Sequence, residues 1–270
     1  MSQTILSIKQ SELLENLIVK YGQVVTSDDI FNETQSYMAH QQAKNLITKL
    51  TKNGWLVRIK KGLYAISDLS NRGFLSLSPY LVANLLSSHS YVSFESALQY
   101  YGMFDQLINK TISVSTKKYK TTKLGNVEYS FIKTKADYYF GWQEVVVDNK
   151  TIRIATAEKA LIDIINFHKS KYAVDLVIEK LREHKKDLDF VKFNKYLSKF
   201  STTTVKIFGF LFDLIGIDSS SAYDLIKTKG KQGTCWMLTG DKTFNAKWRI
   251  YYDKYFDKYD YSPTIRNHKS

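Results

Sequence analysis

Proline, cysteine and long apolar segments are scarce in this chain. Pro79 and Pro263 are the only prolines in 270 residues, so no proline-rich linker marks a domain boundary. The single cysteine, Cys235, cannot form an internal disulfide, which argues against a secreted disulfide scaffold. No apolar run approaches the length needed to span a bilayer, and the N-terminus lacks the continuous apolar stretch of a signal peptide. By elimination we expect a cytoplasmic protein with no membrane partner.

Familiar catalytic and metal-binding signatures are also missing from the sequence. The histidines are scattered without metal-ligand spacing, and there is no HExxH or CxxC pair. There is neither a glycine-rich phosphate loop nor a GxSxG nucleophile elbow. Glu158, Lys159 and Asp163 lie together at the start of a predicted helix, where we expect Glu158 to complement the helix dipole and the other two to be solvated. The sequence therefore predicts a protein that is not an enzyme and needs no metal or cofactor.

Positive charge is what the chain has in excess. Lysine and arginine outnumber aspartate and glutamate by 39 to 26, a formal net charge of +13. A surplus of this size favours polyanionic partners such as DNA or RNA, although solvated lysines on every face would also produce it. Residues 1–70 hold 8 basic and 6 acidic residues, residues 71–150 hold 9 and 6, and residues 151–270 hold 22 and 14. Most of the surplus therefore lies outside the N-terminal part.

The first 67 residues have the pattern of three helices followed by a β-hairpin. Apolar residues at helical spacing fill 7–20, and TSDDIFNET offers Thr26 or Ser27 as the N-cap of a short second helix. YMAHQQAKNLITKLTKNG carries an apolar stripe, and WLVRI and LYAIS are β-type runs joined by Lys60-Lys61-Gly62. This is the layout of a winged helix-turn-helix, whose third helix enters the major groove of DNA while the hairpin touches the backbone.

The third helix presents polar side chains opposite its apolar stripe. Glutamine and asparagine can pair with adenine edges, and lysine with guanine or phosphate. Any surface helix is polar on one side, but the basic hairpin that follows is independent support, because arginine and lysine there suit phosphate contacts. We therefore expect residues 1–70 to be a DNA-binding domain. Its expected contact residues are Gln41, Lys44, Asn45, Thr48, Lys49, Arg58, Lys60 and Lys61.

Residues 71–252 predict a larger mixed domain, which makes the fold class α+β. In 71–155, the helices PYLVANLLSS and FESALQYYG, the second capped by Ser93, precede runs typical of antiparallel strands: TISVST, VEYSFIKT, EVVVD and TIRIA. Thr156 then caps AEKALIDIINFH, and 156–252 is predicted to be mostly helical and bundle-like, with TCWML and KWRIYY as late strands. Residues 253–270 alternate charge with tyrosine, and we expect this basic tail to fray or to dock loosely.

A second basic surface is predicted between residues 110 and 135. Seven lysines in this stretch accompany one acid, Glu128, with Tyr119, Tyr129 and Phe131 interleaved. A basic, aromatic β surface can hold nucleic acid by charge and stacking, although a solvated sheet face with half-buried aromatics has the same composition. The lysines are Lys110, Lys117, Lys118, Lys120, Lys123, Lys133 and Lys135.

Four segments in a fixed order resemble the antitoxins of bacterial abortive-infection (AbiEi-type) phage-defence systems, which are type IV toxin–antitoxin systems. The segments are NGWLVRIKKGLYAIS, YVSFESALQYYG, IRIATAEKALIDII and FGFLFDLIG, and the resemblance runs from about residue 5 to 252. It implies that the winged helix binds inverted repeats of double-stranded DNA in its own promoter and represses the operon. It also implies that the C-terminal domain counteracts a nucleotidyltransferase toxin encoded nearby, without the need for a stable complex.

One departure from that family lies in the hairpin turn. The turn reads Lys60-Lys61-Gly62 where an arginine-rich turn is common. Lysine keeps the affinity for phosphate but loses the bidentate geometry of arginine. Two other functions stay open from the residues alone: a winged-helix repressor whose C-terminal domain senses a ligand, and an RNA-binding or RNA-modifying protein that uses the basic β region.

Overall fold

The computed structural model describes residues 6–67, 75–106, 109–229 and 233–260. It confirms the α+β class, because helices are combined with separate small and large β-sheets. The predicted boundary at residue 70 lies outside the described residues. Two apolar cores are present, a small one in the N-terminal unit and a large one in the remainder, which we call the body.

Three helices and three short strands form the N-terminal unit. The helices are α1 (Ile8–Tyr21), α2 (Ser27–Thr34) and α3 (His40–Lys52), and the strands are β1 (Val24–Thr26), β2 (Leu56–Lys60) and β3 (Leu63–Ile66). β3 lies between the other two strands and is antiparallel to both. Leu17, Ile30 and Leu50, one from each helix, are buried in a common core. The three predicted helices and the hairpin are confirmed, and β1 is an addition to them.

Reciprocal caps explain where the first two helices begin. Thr26 Oγ1 accepts the Asp29 backbone N–H at 3.1 Å, and the Asp29 carboxylate accepts the Thr26 N–H at 2.7 Å. Ser7 and Gln10 form the same arrangement at the start of α1. Each such pair satisfies two amides that the helix itself leaves without acceptors. Of the two candidates at positions 26 and 27, Thr26 is therefore the N-cap.

A six-stranded sheet organises the body. Its strands are β4 (Ser90–Val92), β5 (Lys110–Ser115), β6 (Thr122–Leu124), β7 (Val127–Lys133), β8 (Trp142–Val147) and β9 (Lys150–Ala155), in the lateral order β6-β7-β5-β4-β9-β8. The pairs β5–β7 and β4–β9 are parallel, so the sheet is mixed where antiparallel strands were predicted. The reason is that β4 and β6 were not anticipated. β6 takes the antiparallel place beside β7, and β4 separates β5 from β9.

Helices surround this sheet and continue after it. α4 (Pro79–Leu86) and α5 (Phe94–Tyr100) pack on the central strands, and α6 (Ala157–Phe167) packs against α5 and β9. The other helices are α7 (Lys171–Glu183), α8 (Phe190–Leu197), α9 (Thr202–Leu214) and α10 (Ser220–Thr228). A three-stranded sheet follows, made of β10 (Cys235–Trp236), β11 (Thr243–Asn245) and β12 (Ile250–Tyr252), with β12 in the middle.

Gly209 allows this small sheet to approach α9 closely. A Cβ atom at position 209 would lie 2.1 Å from the ring of Trp248, which precedes β12 and is buried. The Trp248 indole N–H donates to the Asp213 carboxylate at 2.6 Å, one turn further along α9. A buried indole thus occupies the space that the missing side chain leaves, and its N–H has an acceptor.

Residues 253–260 belong to the body, so the expectation of a loose tail from residue 253 is wrong for this part. Phe256 is fully buried, and the hydroxyls of Tyr255 and Tyr259 donate to the Asp175 carboxylate of α7 at 2.8 and 2.7 Å. Asp253 forms an ion pair with Lys171. The alternation of charge and tyrosine that suggested fraying supplies these partners. Residues 261–270 lie outside the described residues.

The hairpin of the N-terminal unit packs on the body. Ile59 and Ala65 are buried in the large core rather than in the core of the three helices. The Lys60 ammonium donates to the Leu85 carbonyl at 2.6 Å, at the end of α4. A cation there is favoured because the last carbonyls of a helix lack partners and carry partial negative charge. Two buried apolar residues and one charged hydrogen bond thus fix the hairpin to the body.

Candidate nucleic-acid interface

All five α3 residues predicted to read DNA lie on one exposed face. Ala43, Ile47 and Leu50 are buried on the opposite side of the helix. The polar contacts of the exposed face stay within α3: Gln41 lies 3.3 Å from Asn45, and the Thr48 hydroxyl donates to the Lys44 carbonyl. The exposed residues are Gln41, Lys44, Asn45, Thr48 and Lys49.

The acids of the described N-terminal unit are confined to α1 and α2, and α1 also carries Lys9 and Lys20. Residues 34–67 contain six basic and no acidic residues, namely Lys44, Lys49, Lys52, Arg58, Lys60 and Lys61. The acids of the described N-terminal unit belong to α1 and α2, namely Glu12, Glu15, Asp28, Asp29 and Glu33. Although the net charge of residues 1–70 is small, every charged residue of α3 and of the hairpin is therefore basic. A local concentration of positive charge of this kind attracts the phosphate groups of nucleic acids.

Lys52 belongs to the exposed face of α3 and was missed by the sequence analysis. It is exposed in the last turn of the helix, eleven residues after Gln41, which is close to three full turns. Helical spacing alone could have found it.

The structure separates the three cations of the hairpin. Arg58 and Lys61 are exposed, and neither forms an ion pair within the described ranges. The Lys60 ammonium donates to the Leu85 carbonyl, so it is less available to a phosphate than the Lys61 ammonium. Gly62, with φ +75°, closes the turn, and its carbonyl accepts the Ser27 N–H at 2.9 Å. The turn is therefore fixed beside the N-terminus of α2.

The seven lysines of the predicted second basic surface are exposed but do not form one patch. Because β5 and β7 are parallel, Lys110 lies beside Glu128 at one end of the pair and Lys133 beside Ser115 at the other. Lys123 also lies opposite Glu128, which ion-pairs with Lys110 at 3.1 Å. Glu128 thus forms an ion pair with one of these lysines and lies opposite a second. The others surround the opposite end of the strands: Lys117, Lys118, Lys120, Lys133 and Lys135.

The aromatic residues of that region serve packing. Tyr129 is buried, and burial raises its pKa to about 12. The Tyr119 ring lies 5.2 Å from the ring of Phe131. Stacking of bases on these three side chains is therefore not supported by their exposure.

Lys159 and Asp163 are fully buried, which corrects the expectation that they are solvated. The Lys159 ammonium forms an ion pair with Asp163 and donates to the Tyr91 hydroxyl at 2.7 Å. The Asp163 carboxylate also accepts the hydroxyls of Ser93 at 2.7 Å and Tyr91 at 3.1 Å. Ser93 precedes α5 as predicted, but its hydroxyl bonds to Asp163 instead of capping that helix. The network thus links β4 and the start of α5 to α6.

An aromatic cage encloses this buried pair. The rings of Tyr91, Phe140 and Phe200 each lie 5.2 Å from the Lys159 ammonium. Gly141, with φ +75°, makes room, because a Cβ atom there would lie 2.9 Å from Lys159 Cγ. Burial lowers the pKa of Lys159 and raises that of Asp163. Since neither side chain reaches the surface, the pair acts in the interior of the body.

Glu158 is also buried and fastens α6 to α8. One carboxylate oxygen accepts the Asp189 backbone N–H at 3.0 Å, and the other lies 3.0 Å from the Lys192 ammonium. The expected interaction with the helix dipole is therefore accompanied by specific partners from the next helix but one. Burial of a carboxylate costs much free energy unless such partners compensate for the lost hydration.

Comparisons with known proteins identify a related fold. No family model and no curated protein matches this chain. The crystal structure of the RV2827C protein from Mycobacterium tuberculosis is similar over 92% of each chain, with a TM-score of 0.69 and 16% sequence identity. At that identity the similarity extends to the fold alone.

No described helix is both long enough and apolar enough to cross a membrane. Nor does any group of three or more histidine, cysteine, aspartate or glutamate side chains in the described ranges have the arrangement to hold a metal ion.

Proposed function

We propose that this protein is a transcriptional repressor that reads duplex DNA with α3, in a winged helix-turn-helix formed by residues 1–70. The observation that carries the proposal is the exposed face of α3, which is polar and basic, lacks acids and, among the described residues, keeps its side-chain hydrogen bonds within the helix. In this reading α2 and α3 are the helix-turn-helix, and β2 and β3 are the wing. α3 would lie in the major groove with Gln41, Lys44 and Asn45 toward base edges.

Electrostatics assigns different roles to the ends of this interface. Arg58 and Lys61 in the wing, and Lys49 and Lys52 late in α3, suit phosphates, since they are exposed cations without ion-pair partners in the described ranges. Phosphate contacts position a protein on DNA but carry no sequence information. The sequence preference would therefore come from the amides of Gln41 and Asn45 and from Lys44.

A role as the antitoxin of a type IV toxin–antitoxin system extends this proposal. It is supported by the four-segment resemblance, which implies a nucleotidyltransferase toxin as functional partner, autorepression through inverted repeats and a cytoplasmic location. In the structure, those four segments contribute contacts that connect the elements of the fold. They form the hairpin, the Ser93–Asp163 connection, the Lys159–Asp163 pair and the α9 helix with Gly209. The resemblance is thus one of scaffold.

A gel-shift titration with the protein's own promoter tests the DNA-binding proposal. Lys44→Ala and Asn45→Ala should each lose about 1–3 kcal/mol of operator binding, with less effect on scrambled duplex. Lys9→Ala is the matched control, because it removes an equally exposed lysine from α1, outside the proposed interface. Circular dichroism checks that each variant is folded. Wild-type affinity of both α3 variants would show that α3 does not read the operator.

A further inference from the structure

Three aromatic rings form a ladder across one face of the small sheet at the end of the body. The strand registers place Trp236 and Phe244 on either side of Tyr251. The centroids of Trp236 and Tyr251 lie 5.2 Å apart with their planes only 14° from parallel. The ring of Phe244 lies 5.1 Å from Tyr251, on the other side, at 48°. We call these three residues the aromatic ladder.

The aromatic ladder faces outward. Trp236 is 54% and Phe244 47% exposed, although tryptophan and phenylalanine usually contribute most of their area to a core. Their neighbours on β12 point inward, because Ile250 is buried and the Tyr252 ring lies 4.5 Å from Phe210 of α9. The alternation of the strands therefore separates a packed face from a face of exposed rings. A contiguous group of large exposed rings marks a contact surface.

Two exposed cations lie close to the aromatic ladder in the chain. Lys242 and Arg249 each stand two residues before a ladder residue, and both are exposed. Neither forms an ion pair within the part of the chain that the structure describes. The adjacent acid, Asp241, uses its carboxylate to accept the Leu238 backbone N–H at 2.7 Å. The two cations thus accompany the ladder residues in the chain, and the adjacent Asp241 carboxylate is directed to a backbone N–H rather than to either of them.

We propose that the aromatic ladder binds single-stranded nucleic acid. An unpaired base stacks on the outer face of Trp236 and extends the near-parallel pair that Trp236 forms with Tyr251, while Lys242 and Arg249 meet the flanking phosphates. Aromatic side chains beside a basic surface hold single strands in this way, and every base has a face to stack. A protein partner would also cover exposed rings, but the unpaired cations favour a polyanion. The ladder and α3 would bind different forms of nucleic acid, because duplex DNA keeps its bases stacked and paired and offers none of them to Trp236.

Fluorescence anisotropy of the full chain with labelled single strands of about 15 nucleotides, oligo(U) and oligo(dT), tests the proposal. Trp236→Ala should weaken binding by about 5- to 150-fold, the range that the loss of one stacked base produces. Trp236→Phe should retain most of the affinity, and Trp236→Leu, which keeps apolar area without a ring, should not. Tyr172→Ala, which removes an equally exposed ring on α7, is the control and should bind like wild type.

A variant of α3 keeps this test independent of the proposed repressor function. The double variant Lys44→Ala/Asn45→Ala should bind the single strands like wild type, whatever its effect on duplex DNA. Equal affinity of Trp236→Ala and wild type for single strands would overturn the proposal. So would a wild-type chain that does not bind them, including the case where Trp236→Ala instead loses a co-purified protein.

Discussion

Lys60 and Lys61 are adjacent residues of the hairpin with different surroundings. Lys60 bonds to the carbonyl end of α4, whereas Lys61 is exposed without an ion pair in the described ranges. We expect Lys61→Ala to reduce the slope of log affinity against log salt concentration by about 0.9, the share of one phosphate contact on B-DNA. Lys60→Met should leave that slope unchanged and lower the thermal stability instead. Duplex titrations at several salt concentrations, with melting curves, measure both.

The opposite pattern would be informative about the hairpin. If Lys60→Met flattens the salt slope while Lys61→Ala does not, then Lys60 leaves Leu85 when DNA binds. Arg58→Ala serves as the positive reference in the same titration, since it removes an exposed cation from the neighbouring strand.

The buried Lys159–Asp163 pair makes a prediction about stability. Lys159→Met should destabilise the protein by about 3–5 kcal/mol in urea unfolding, because it leaves a buried carboxylate without its cation. The double variant Lys159→Met/Asp163→Leu should recover much of that loss, since no charge stays buried. Lys195→Met, on the exposed side of α8, should change stability by less than about 0.5 kcal/mol.

The deficit of Lys159→Met should also depend on pH. Burial raises the pKa of Asp163, and without Lys159 nothing comparable opposes that rise. A carboxyl whose folded pKa is above its unfolded value of about 3.9 contributes most at a pH below the unfolded value, and the contribution is lost as the pH rises through the folded pKa. The stability difference from wild type should therefore shrink as the pH falls toward 4. A difference that grows on acidification would contradict the assignment of Asp163 as the unpaired charge.

Among the elements, α9 and the small sheet depend on one glycine. Gly209→Ala should destabilise the protein by about 1–3 kcal/mol and shift the tryptophan fluorescence, because the new methyl group would overlap the Trp248 ring. Gly233→Ala is the control, since nothing described lies within 4 Å of a Cβ atom there. A stable Gly209→Ala protein with unchanged fluorescence would contradict the close contact of Gly209 with the Trp248 ring.

Local sequence signals account for most of the long elements. The periodicity of apolar residues and the caps at Thr26, Ser78 and Thr156 predicted the helices where the structure has them. The short strands β1, β4, β6 and β11 were missed, because three residues are too few to show an alternation. The mixed sheet follows from those strands, so it was also beyond local reasoning. Lys159 and Asp163 were misplaced because an i, i+4 charged pair is usual on a helix surface, and only the tertiary contacts of Tyr91 and Ser93 reveal burial.

The candidate sites were predictable to different degrees. The exposed face of α3 follows from helical spacing and could be listed from the sequence. The engagement of Lys60 could not, because it depends on how the hairpin meets Leu85, which is distant in the chain. The aromatic ladder was invisible for the same reason. Its three rings come from three separate segments, and the parallel pairing of β10 with β12 brings Trp236 to Tyr251.

For the whole molecule, we expect the two proposed activities to separate along the chain. Deletion of residues 1–70 should abolish repression and leave toxin neutralisation intact, because the large core lies almost entirely in the body. The fragment 71–270 should nevertheless melt at a lower temperature than the full chain, since it loses the contacts of Ile59, Lys60 and Ala65 with the body. Growth under toxin induction, measured beside a promoter–reporter assay and a melting curve, tests both parts.

A full-length variant removes the dependence on that fragment's folding. Lys44→Ala/Asn45→Ala should lose repression in the reporter assay but still rescue growth during co-expression with the toxin gene. If it fails to rescue while the wild type succeeds, neutralisation acts through repression of toxin transcription. The wild type's failure to rescue growth against the product of a neighbouring nucleotidyltransferase gene would refute the antitoxin proposal and leave DNA binding to be judged by titration.

The segregation of charge in the N-terminal unit has a consequence for the approach to DNA. The acids of α2 and the cations of α3 and the hairpin give the unit an electric dipole, whereas the two acids and two lysines of α1 balance one another. In the field of a polyanion a dipolar molecule rotates before it arrives, so a larger share of collisions begins with the basic side foremost. Orientation of this kind raises the association rate and leaves the dissociation rate to the base contacts. The acids of α2, which lower the net charge of the unit, would thereby help to orient it during its diffusion toward DNA.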